Sequence, residues 1–370
     1  MAAKIVVLGA GYSGLMAAKL VAKRAGAEVT LVNAGAHFVE RVRLHQLASG
    51  QPMRDLPLAD LLAGTRIQLV VDRVTRIDAR SREVELAGGA RLHYDVLVYA
   101  LGSQADLGAV PGAAEHAHAV AGGEDAVRLR EKLRGSQVVA VAGGGLTGLE
   151  AATELAETYP ELKVRLVTGG KLGAALSERG RRHVRGTFTR LGIEVRDEVR
   201  IAEVRADGLV LDDGEHVAAD TVVWTTGFQV SPLAREAGFA VEDSGRMVVD
   251  ETLRSVSHPE VYGIGDAAAA RRPDGQELRM ACATGIPAAV CASKAIADRL
   301  AGRTPKPLEF RFFNQCISLG RRDGLIQFVR ADDSPIERVL TGRAAALYKE
   351  TVVRATILGA RRPGLVAAVA

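Results

Sequence analysis

The stretch at residues 138–150, VVAVAGGGLTGLE, decides the fold, because it repeats in mid-chain the pattern of residues 5–15, IVVLGAGYSGL. In each stretch an apolar, mostly β-branched run ends in the pattern G-x-G-x-x-G. The first glycine allows the tight turn out of a strand, the second lets the backbone approach a pyrophosphate, and the third lets the following helix pack closely on the sheet. The helix N-terminus then presents free N–H groups and a partial positive charge to the phosphates. The glycines are Gly9, Gly11 and Gly14 in the first copy and Gly143, Gly145 and Gly148 in the second.

The surroundings of the two copies also match, which makes the signal much stronger than a single glycine-rich turn. Downstream of each copy a glycine, an aspartate and a second glycine recur at the same intervals. They are Gly89, Asp95 and Gly102 in the first copy and Gly214, Asp220 and Gly227 in the second. The sequence therefore predicts an internal duplication of whole Rossmann-type units. Two bound dinucleotides are implied, and an enzyme that holds two usually passes electrons between them.

Composition limits the other classes of function. At 370 residues the chain is long enough for two or three domains, and its hydrophobic fraction of 48% supports full burial of their cores. The net charge is +4, but its arginine pairs are scattered and are not interleaved with aromatic residues, which argues against nucleic-acid binding. Met1 leads within a few residues into a core strand, and no window of eighteen apolar residues exists. We expect a cytoplasmic protein with at most weak peripheral membrane contact, and homodimerisation is left open.

The three cysteines, Cys282, Cys291 and Cys316, form no C-x-x-C pattern and no other close pair. We interpret them as packing thiols. The sequence therefore predicts an enzyme without a redox-active disulfide, and it predicts no metal site.

The positions that would bind the ribose hydroxyls lack the usual acidic residue in both copies. The second strand of the first copy is followed by Asn33, which can form a hydrogen bond to a hydroxyl but carries no charge. The corresponding strand of the second copy is followed by Thr168, with Lys171 nearby. Without a carboxylate to repel a 2′-phosphate, NADPH is possible as well as NADH, and the sequence does not decide between them.

The remaining segments are placed by pattern. Residues 67–99 predict a meander of short strands, after which a strand returns to the sheet and ends at Gly102. The stretch VYGIGD places Asp266 at the carboxyl end of another strand; the alternative is that Asp266 caps a helix over the alanines that follow. We divide the chain into a first domain at 1–112, an inserted domain at 113–245, a return to the first domain at 246–304 and a small C-terminal domain at 305–370.

Taken together, these motifs resemble the two-dinucleotide-binding-domain flavoproteins, the pyridine nucleotide-disulfide oxidoreductase superfamily. Within that superfamily the chain is most similar to the type II NADH dehydrogenase group, and the likeness extends over nearly the whole chain. It is carried by GAGYSG, GGGLTGLE, the strand ends at Gly102 and Gly227, YGIGDAA and LGRRDG. The resemblance implies an α/β fold with two Rossmann-like domains, the NAD(P)H domain inserted in the FAD domain, plus a small C-terminal α+β domain.

The resemblance also implies the roles of individual residues. FAD would be bound by Gly9, Gly11, Tyr12, Ser13, Gly14, Asn33, Arg41, Gly102, Gly265 and Asp266, with Asp266 on the ribityl chain. NADH or NADPH would be bound by Gly143, Gly145, Leu146, Thr147, Gly148, Thr168 and Gly227. Glu150 matches a carboxylate near the nicotinamide and flavin rings and is the candidate catalytic residue. The structural alternative is a helix-surface glutamate in step with Glu154 and Glu157.

A basic segment with Arg41, Arg43 and His45 follows the second strand. It is either a solvated helix face or, because this loop lies at the carboxyl edge of the sheet, part of the wall around the flavin or its substrate.

Two departures from the type II group concern the electron acceptor. Cys282 and Ile286 stand where the group carries the glutamines of an A-Q-x-x-x-Q pattern beside the quinone. The group also usually ends in an amphipathic membrane anchor, whereas residues 343–358 here spread apolar side chains too widely for a sharp membrane face. We predict an FAD-dependent NAD(P)H oxidoreductase that reduces a quinone-like small molecule or, alternatively, a ferredoxin- or rubredoxin-type protein. A different class of function is a flavoprotein that senses the nicotinamide pool without rapid turnover.

Overall fold

The protein is built from two parallel five-stranded sheets of the same design and a smaller antiparallel sheet near the C-terminus. The computed structural model describes residues 2–363. The last part of the expected 305–370 domain therefore lies outside the described residues.

The first unit begins with β1, which is buried along nearly its whole length, as expected for a parallel strand covered on both faces. Its strands are β1 (Lys4–Leu8), β2 (Glu28–Asn33), β3 (Gln68–Val71), β4 (Val74–Asp78), β5 (Glu83–Leu86), β6 (Arg91–His93), β7 (Val96–Tyr99) and β8 (Ser103–Ala105). Its helices are α1 (Tyr12–Arg24), α2 (Leu44–Ala48) and α3 (Leu58–Leu62), and a short 3₁₀ turn at Arg41–Arg43 precedes α2.

The second unit repeats this plan. Its strands are β9 (Ala117–Ala119), β10 (Val138–Ala142), β11 (Lys163–Val167), β12 (Glu194–Arg196), β13 (Ile201–Arg205), β14 (Gly208–Leu211), β15 (His216–Ala218), β16 (Thr221–Trp224) and β17 (Phe228–Val230). Its helices are α4 (Ala113–His116), α5 (Gly123–Leu133), α6 (Leu146–Thr158) and α7 (Glu178–Arg190).

The chain then returns to the first unit and ends in the small C-terminal sheet. The returning elements are α8 (Leu233–Glu236), β18 (Met247–Val248), β19 (Val261–Gly263), β20 (Ala268–Ala269) and α9 (Cys282–Leu300). The C-terminal elements are β21 (Asn314–Ser318), β22 (Gly324–Val329), β23 (Pro335–Thr341) and α10 (Gly342–Arg361).

The duplication read from the glycine motifs is present in the sheets themselves. The first sheet has the order β19-β7-β1-β2-β3, and the second, read in the matching direction, has the order β9-β16-β10-β11-β12. Every pair of neighbouring strands in both sheets is parallel. β1 and β10 hold the same central place, and each unit carries a three-stranded antiparallel meander, β4-β5-β6 or β13-β14-β15. The expected α/β fold class is confirmed.

Two expectations about local structure are wrong. Residues 67–99 do not form one meander, because β3, before the meander, pairs in parallel with β2 as an edge strand of the first sheet, and β7, after it, pairs in parallel with β1. The alternative that Asp266 caps a helix over the alanines is wrong as well, because Asp266 lies inside a single 3₁₀ turn at Gly265–Ala267 and the next two alanines form β20, which pairs with β18. On either side of β20, Ala267 belongs to one hydrophobic core and Ala270 to another. Asp266 therefore does not serve as a helix cap.

Two short strands connect the units. β8 leaves the first unit, β17 returns from the second, and they pair antiparallel from Ser103↔Val230 to Ala105↔Phe228. Beyond β8, Leu107 packs against the core of the second unit, whereas beyond β17, Phe239 is buried in a core of the first.

Helix α10 explains the broad spread of apolar residues near the C-terminus. One face is buried through Ala345, Val353 and Ile357, while Leu347 and Leu358 on other faces are exposed. Among residues 2–363 no helix has the length and apolar character needed to cross a bilayer.

Candidate cofactor-binding site

The first glycine loop combines two glycines that the fold needs with one that it does not. A Cβ at Gly9, whose φ is +95°, would collide with the Ala100 carbonyl oxygen, and a Cβ at Gly14 would collide with the Gly9 carbonyl oxygen. A Cβ at Gly11 would meet nothing within 4 Å, and the backbone there is ordinary, with φ −69°. Gly11 therefore borders open space at the N-terminus of α1, which has no side-chain cap and no acidic residue in its first turn. This cradle fits an anionic pyrophosphate.

The second loop has the same division. A Cβ at Gly143, with φ +116°, would press on Thr225, and one at Gly148 would collide with the Gly143 carbonyl oxygen. A Cβ at Gly145 would meet nothing within 4 Å, and Gly145 stands at the equally uncapped start of α6. The structure therefore has two equivalent openings, one at each predicted dinucleotide site. Leu146 and Thr147 form the first turn of α6 beside the second opening.

The two positions predicted to bind ribose use their side chains differently. Asn33 accepts a hydrogen bond from the Ala10 N–H at 2.9 Å and donates one to the Gly35 carbonyl at 2.7 Å, so it ties β2 to the glycine loop. Thr168 is buried and lies against Gly144 of the second loop. Lys171, which we expected near the coenzyme, is exposed and 3.9 Å from Glu198.

A polar cluster joins the segment after β2 to the end of β19. Ser103 Oγ donates to Asp266 Oδ2 at 2.7 Å, and Arg41 donates to the Ser103 carbonyl and hydroxyl oxygens at 2.7 and 3.0 Å. Arg41 Nη1 is also 3.6 Å from Asp266 Oδ2 and lies beside Gly102, whose φ is +67°. The structure thus brings Arg41, Gly102 and Asp266 together.

Close packing surrounds this cluster. A Cβ at Gly265 would come within 2.7 Å of Ser13 Oγ, so the start of α1 lies against the turn that carries Asp266. The Tyr12 ring packs edge-on against Phe38, and burial raises the pKa of its hydroxyl. At the connection to the second unit, Gly227, with φ +72°, accepts a hydrogen bond from the Asp106 N–H.

The basic segment is not a solvated face. Arg43 is only 11% exposed and forms ion pairs with Glu40 at 3.2 Å and with Glu350 of α10 at 2.8 Å. His45 is 4% exposed, and burial lowers the pKa of its imidazole to about 4, so the ring is neutral. His45 is buried where α2 packs against α5 and α6, whereas Arg43, in the turn before α2, is directed toward Glu350 of α10.

Glu150 is largely buried, and the alternative of a helix-surface glutamate is wrong. It forms an ion pair with Lys349 of α10, accepts a hydrogen bond from the Ser318 N–H at 3.1 Å and lies 3.7 Å from His45 Nδ1. Burial works to raise the pKa of Glu150, but the charge of Lys349 and the hydrogen bonds from Lys349 and the Ser318 N–H outweigh it, so the pKa is lowered. Sequence analysis missed Lys349 and Ser318, since nothing in their local pattern marks them as partners of α6.

One turn further along α6, Glu154 has the opposite electrostatic character. It is fully buried; Gln51 Nε2 donates to its Oε1 at 3.0 Å, and its Oε2 has no partner among the described residues. Burial raises the pKa of this carboxyl to about 7. Within a single helix the protein therefore lowers the pKa of one carboxyl and raises the pKa of the other toward neutral pH.

The cysteines are free throughout the described part of the chain, and each is partly buried. Burial raises the pKa of Cys282 to about 12 and those of Cys291 and Cys316 to about 11, so the thiols are unreactive near neutral pH. Ile286, expected to face an acceptor, packs against the core of the first unit.

Comparison with known proteins gives a consistent assignment. Residues 3–295 match the family described as pyridine nucleotide-disulphide oxidoreductase. An NADH dehydrogenase-like protein of Mycobacterium tuberculosis is 33% identical over 310 residues, which cover 77% of either chain. The type II NADH:quinone oxidoreductase of Staphylococcus haemolyticus is 27% identical over 386 residues, with 94% of each chain covered. The sulfide:quinone oxidoreductase of Aquifex aeolicus shares the fold with a TM-score of 0.83, 20% identity and coverage of 97% of this chain and 92% of that one.

Proposed function

Since this chain belongs to the pyridine nucleotide-disulphide oxidoreductase family, we propose that it is an FAD-dependent NAD(P)H oxidoreductase that passes electrons to a quinone or another small-molecule acceptor. Membership makes the chain an oxidoreductase of the pyridine-nucleotide flavoprotein type. Beyond this membership, we propose that the flavin is FAD, that the residues named below hold each nucleotide, and that the acceptor is a quinone or another small molecule.

The observation that carries the proposal is the pair of openings at Gly11 and Gly145. Each glycine leaves space for a close approach to the backbone at an uncapped helix N-terminus, while its neighbours in the motif are glycines for reasons of packing. The free N–H groups and the helix dipole would hold a pyrophosphate at each opening. Two such sites on one chain support electron transfer between two nucleotides.

Different residues around the first opening would bind different parts of FAD. The start of α1 would bind its pyrophosphate, and Asp266, already oriented by Ser103 and Arg41, would accept a hydrogen bond from its ribityl chain. When bound, the flavin supplies the redox chemistry by taking a hydride from the nicotinamide and passing the electrons on. The protein supplies orientation and exclusion of water.

Near the second opening, Glu150 has the geometry of a positioning residue. Its carboxylate is fixed by Lys349 and Ser318, and a charge held this way can orient a polar group nearby without rearranging. We assign Glu150 to the region between the nicotinamide and the acceptor. The absence of a reactive cysteine pair from residues 2–363 favours direct passage of electrons from the flavin to the acceptor.

We also propose the connecting strands as the limits of the inserted NAD(P)H domain. Packing of Leu107 with the second unit and of Phe239 with the first favours boundaries near β8 and β17 over the expected ones at residues 112 and 245.

The test is anaerobic rapid mixing of the purified protein with NADH or NADPH, followed by a panel of acceptors. We expect the visible flavin absorbance to bleach faster than about one per second, the lower range of typical turnover. Reoxidation should be fast with quinones and slow with ferredoxin- or rubredoxin-type proteins. Purified protein without flavin would contradict the proposal, and bleaching far slower than this rate would favour a sensor of the nicotinamide pool.

Coenzyme choice has its own test at Thr168. Thr168→Glu should shift the ratio of the two kcat/KM values toward NADH, because a carboxylate accepts hydrogen bonds from the ribose and repels a 2′-phosphate. Thr168→Gln is the matched control, since it has similar size without the charge. Equal ratios in the two variants would place the ribose elsewhere.

A further inference from the structure

A cavity of about 350 Å³ lies between α10, the turn after β21 and the segment around α2. Its size is in the range of small-molecule sites. Five cationic side chains line it, against a single carboxylate from Glu350. They are Arg43, Arg321, Arg322, Arg343 and Lys349.

The carboxylates near this cavity leave part of its positive charge uncompensated. Glu350 is shared between Arg43 at 2.8 Å and Arg354 at 2.7 Å, and Lys349 is paired with Glu150 on its other side. Glu157 accepts a hydrogen bond from the Arg321 backbone N–H, but among the residues that the structure describes no carboxylate forms an ion pair with the side chain of Arg321, Arg322 or Arg343.

The N-terminus of α10 adds to this positive potential. Arg343 stands in its first turn, where a cation opposes the helix dipole, and the helix has neither a side-chain cap nor an acidic residue in that turn. Helix α5, by comparison, has Glu124 and Asp125 in its first turn. The start of α10 therefore lacks the negative charge that usually stabilises such an end.

Apart from the polar side chains of Gln46 and Ser318, the rest of the wall is apolar. Val42, Ala346 and Val353 line the same cavity, and Leu347 borders it with an exposed side chain. A hydrated inorganic ion would leave these surfaces unused, whereas an organic anion could place its acidic group on the arginines and its body against them.

We infer that this cavity is a binding site for a small organic anion with an apolar body, held by Arg322 and Arg343 at its acidic group. None of the residues that line the cavity belongs to either glycine loop. The inference does not depend on the proposed function, because binding can be measured without nicotinamide. The acidic group could belong to a soluble metabolite or to a lipid head, and the two sources share the same chemistry.

The test is calorimetric titration of the purified protein, with the cofactor it carries, with 2-naphthoate and, separately, with the uncharged 2-naphthamide. The naphthoate should bind at least about tenfold more tightly, since its carboxylate gains charge-assisted hydrogen bonds. The double variant Arg322→Gln and Arg343→Gln should reduce this preference to about twofold or less. Arg321 is left unchanged because its charge also acts on Glu154.

The matched control replaces two exposed arginines outside the cavity, Arg66→Gln and Arg200→Gln, which lowers the net charge equally. It should keep the preference for naphthoate. No binding of naphthoate, equal binding of the two probes, or equal losses in the two double variants would overturn the inference. Displacement of naphthoate by phosphatidylglycerol vesicles would identify a lipid head as the source, and persistence of binding beside them would identify a soluble anion.

Discussion

At the scale of single residues, the two glycine motifs separate the needs of the fold from those of the ligand. Gly11→Val should fold normally, because its Cβ meets no atom within 4 Å, but it should abolish FAD binding by filling the phosphate cradle. Gly145→Val should keep FAD and raise KM for the nicotinamide nucleotide by tenfold or more, about 1.4 kcal/mol of binding.

Flavin content per chain and steady-state kinetics measure these two effects, and Gly186→Val on the exposed surface of α7 is the control. Full flavin occupancy in Gly11→Val would disprove the assignment of the first opening.

Glu154 gives a prediction for pH dependence. Its pKa is raised to about 7 in the folded protein, so its contribution to stability is complete at acidic pH and is lost as pH rises toward and through 7. The loss should amount to about 3 kcal/mol, because each pKa unit is worth about 1.4 kcal/mol. Glu154→Gln should therefore flatten the pH dependence of the free energy of unfolding between about pH 5 and pH 8.

Urea unfolding of the FAD-loaded protein across this range measures the change, with Glu161→Gln on the surface as control. A wild-type profile that is already flat would show that the buried carboxyl is ionised throughout.

At the scale of secondary-structure elements, much of the fold could be predicted because its signals are local. β1, β10 and the helices after them follow from apolar runs that end in glycine motifs, and the structure has them where the sequence placed them. β3 was misassigned because its alternation resembles that of the meander, and only its pairing partner β2 distinguishes them. The site around Glu150 was only partly foreseen, since Lys349 reaches it from the far end of the chain.

Lys19 shows how distant elements are joined by one side chain. Its buried Nζ donates hydrogen bonds to the carbonyl oxygens of Leu61 at the end of α3 and of Ala360 and Arg361 at the end of α10, at 2.7 to 3.0 Å. These are carbonyls that a helix end leaves without partners.

Lys19→Met should therefore loosen the last turn of α10 and cost about 1–3 kcal/mol. Hydrogen exchange at residues 357–361 should accelerate, while Lys23→Met on the exposed side of α1 should leave it unchanged. Unaltered exchange in Lys19→Met would mean that packing alone holds the end of α10.

At the scale of the whole molecule, the Glu150–Lys349 pair joins the second unit to the C-terminal domain. Both side chains are nearly buried, at 12% and 11% exposure, so either single change, Glu150→Gln or Lys349→Met, should cost about 3–5 kcal/mol by leaving one charge unpaired. The double variant should recover most of that loss.

Unfolding of all four forms measures this coupling, and rapid mixing with NADH then tests function in the stable double variant. Slow electron transfer there would indicate that Glu150 acts on the reaction, whereas normal rates would limit it to a structural role. Additive losses in the two single variants would contradict the pairing itself.

The parallel pairing of β7 with β19 has a consequence for how the protein is made. All five strands of the second sheet lie between Ala117 and Trp224, so all of them are synthesised before β19, which begins at Val261. Until then β7 presents an open edge, and α1 lacks the cover of α9. The nascent chain should therefore fold its middle first, and its own beginning is the part that most needs a chaperone during translation.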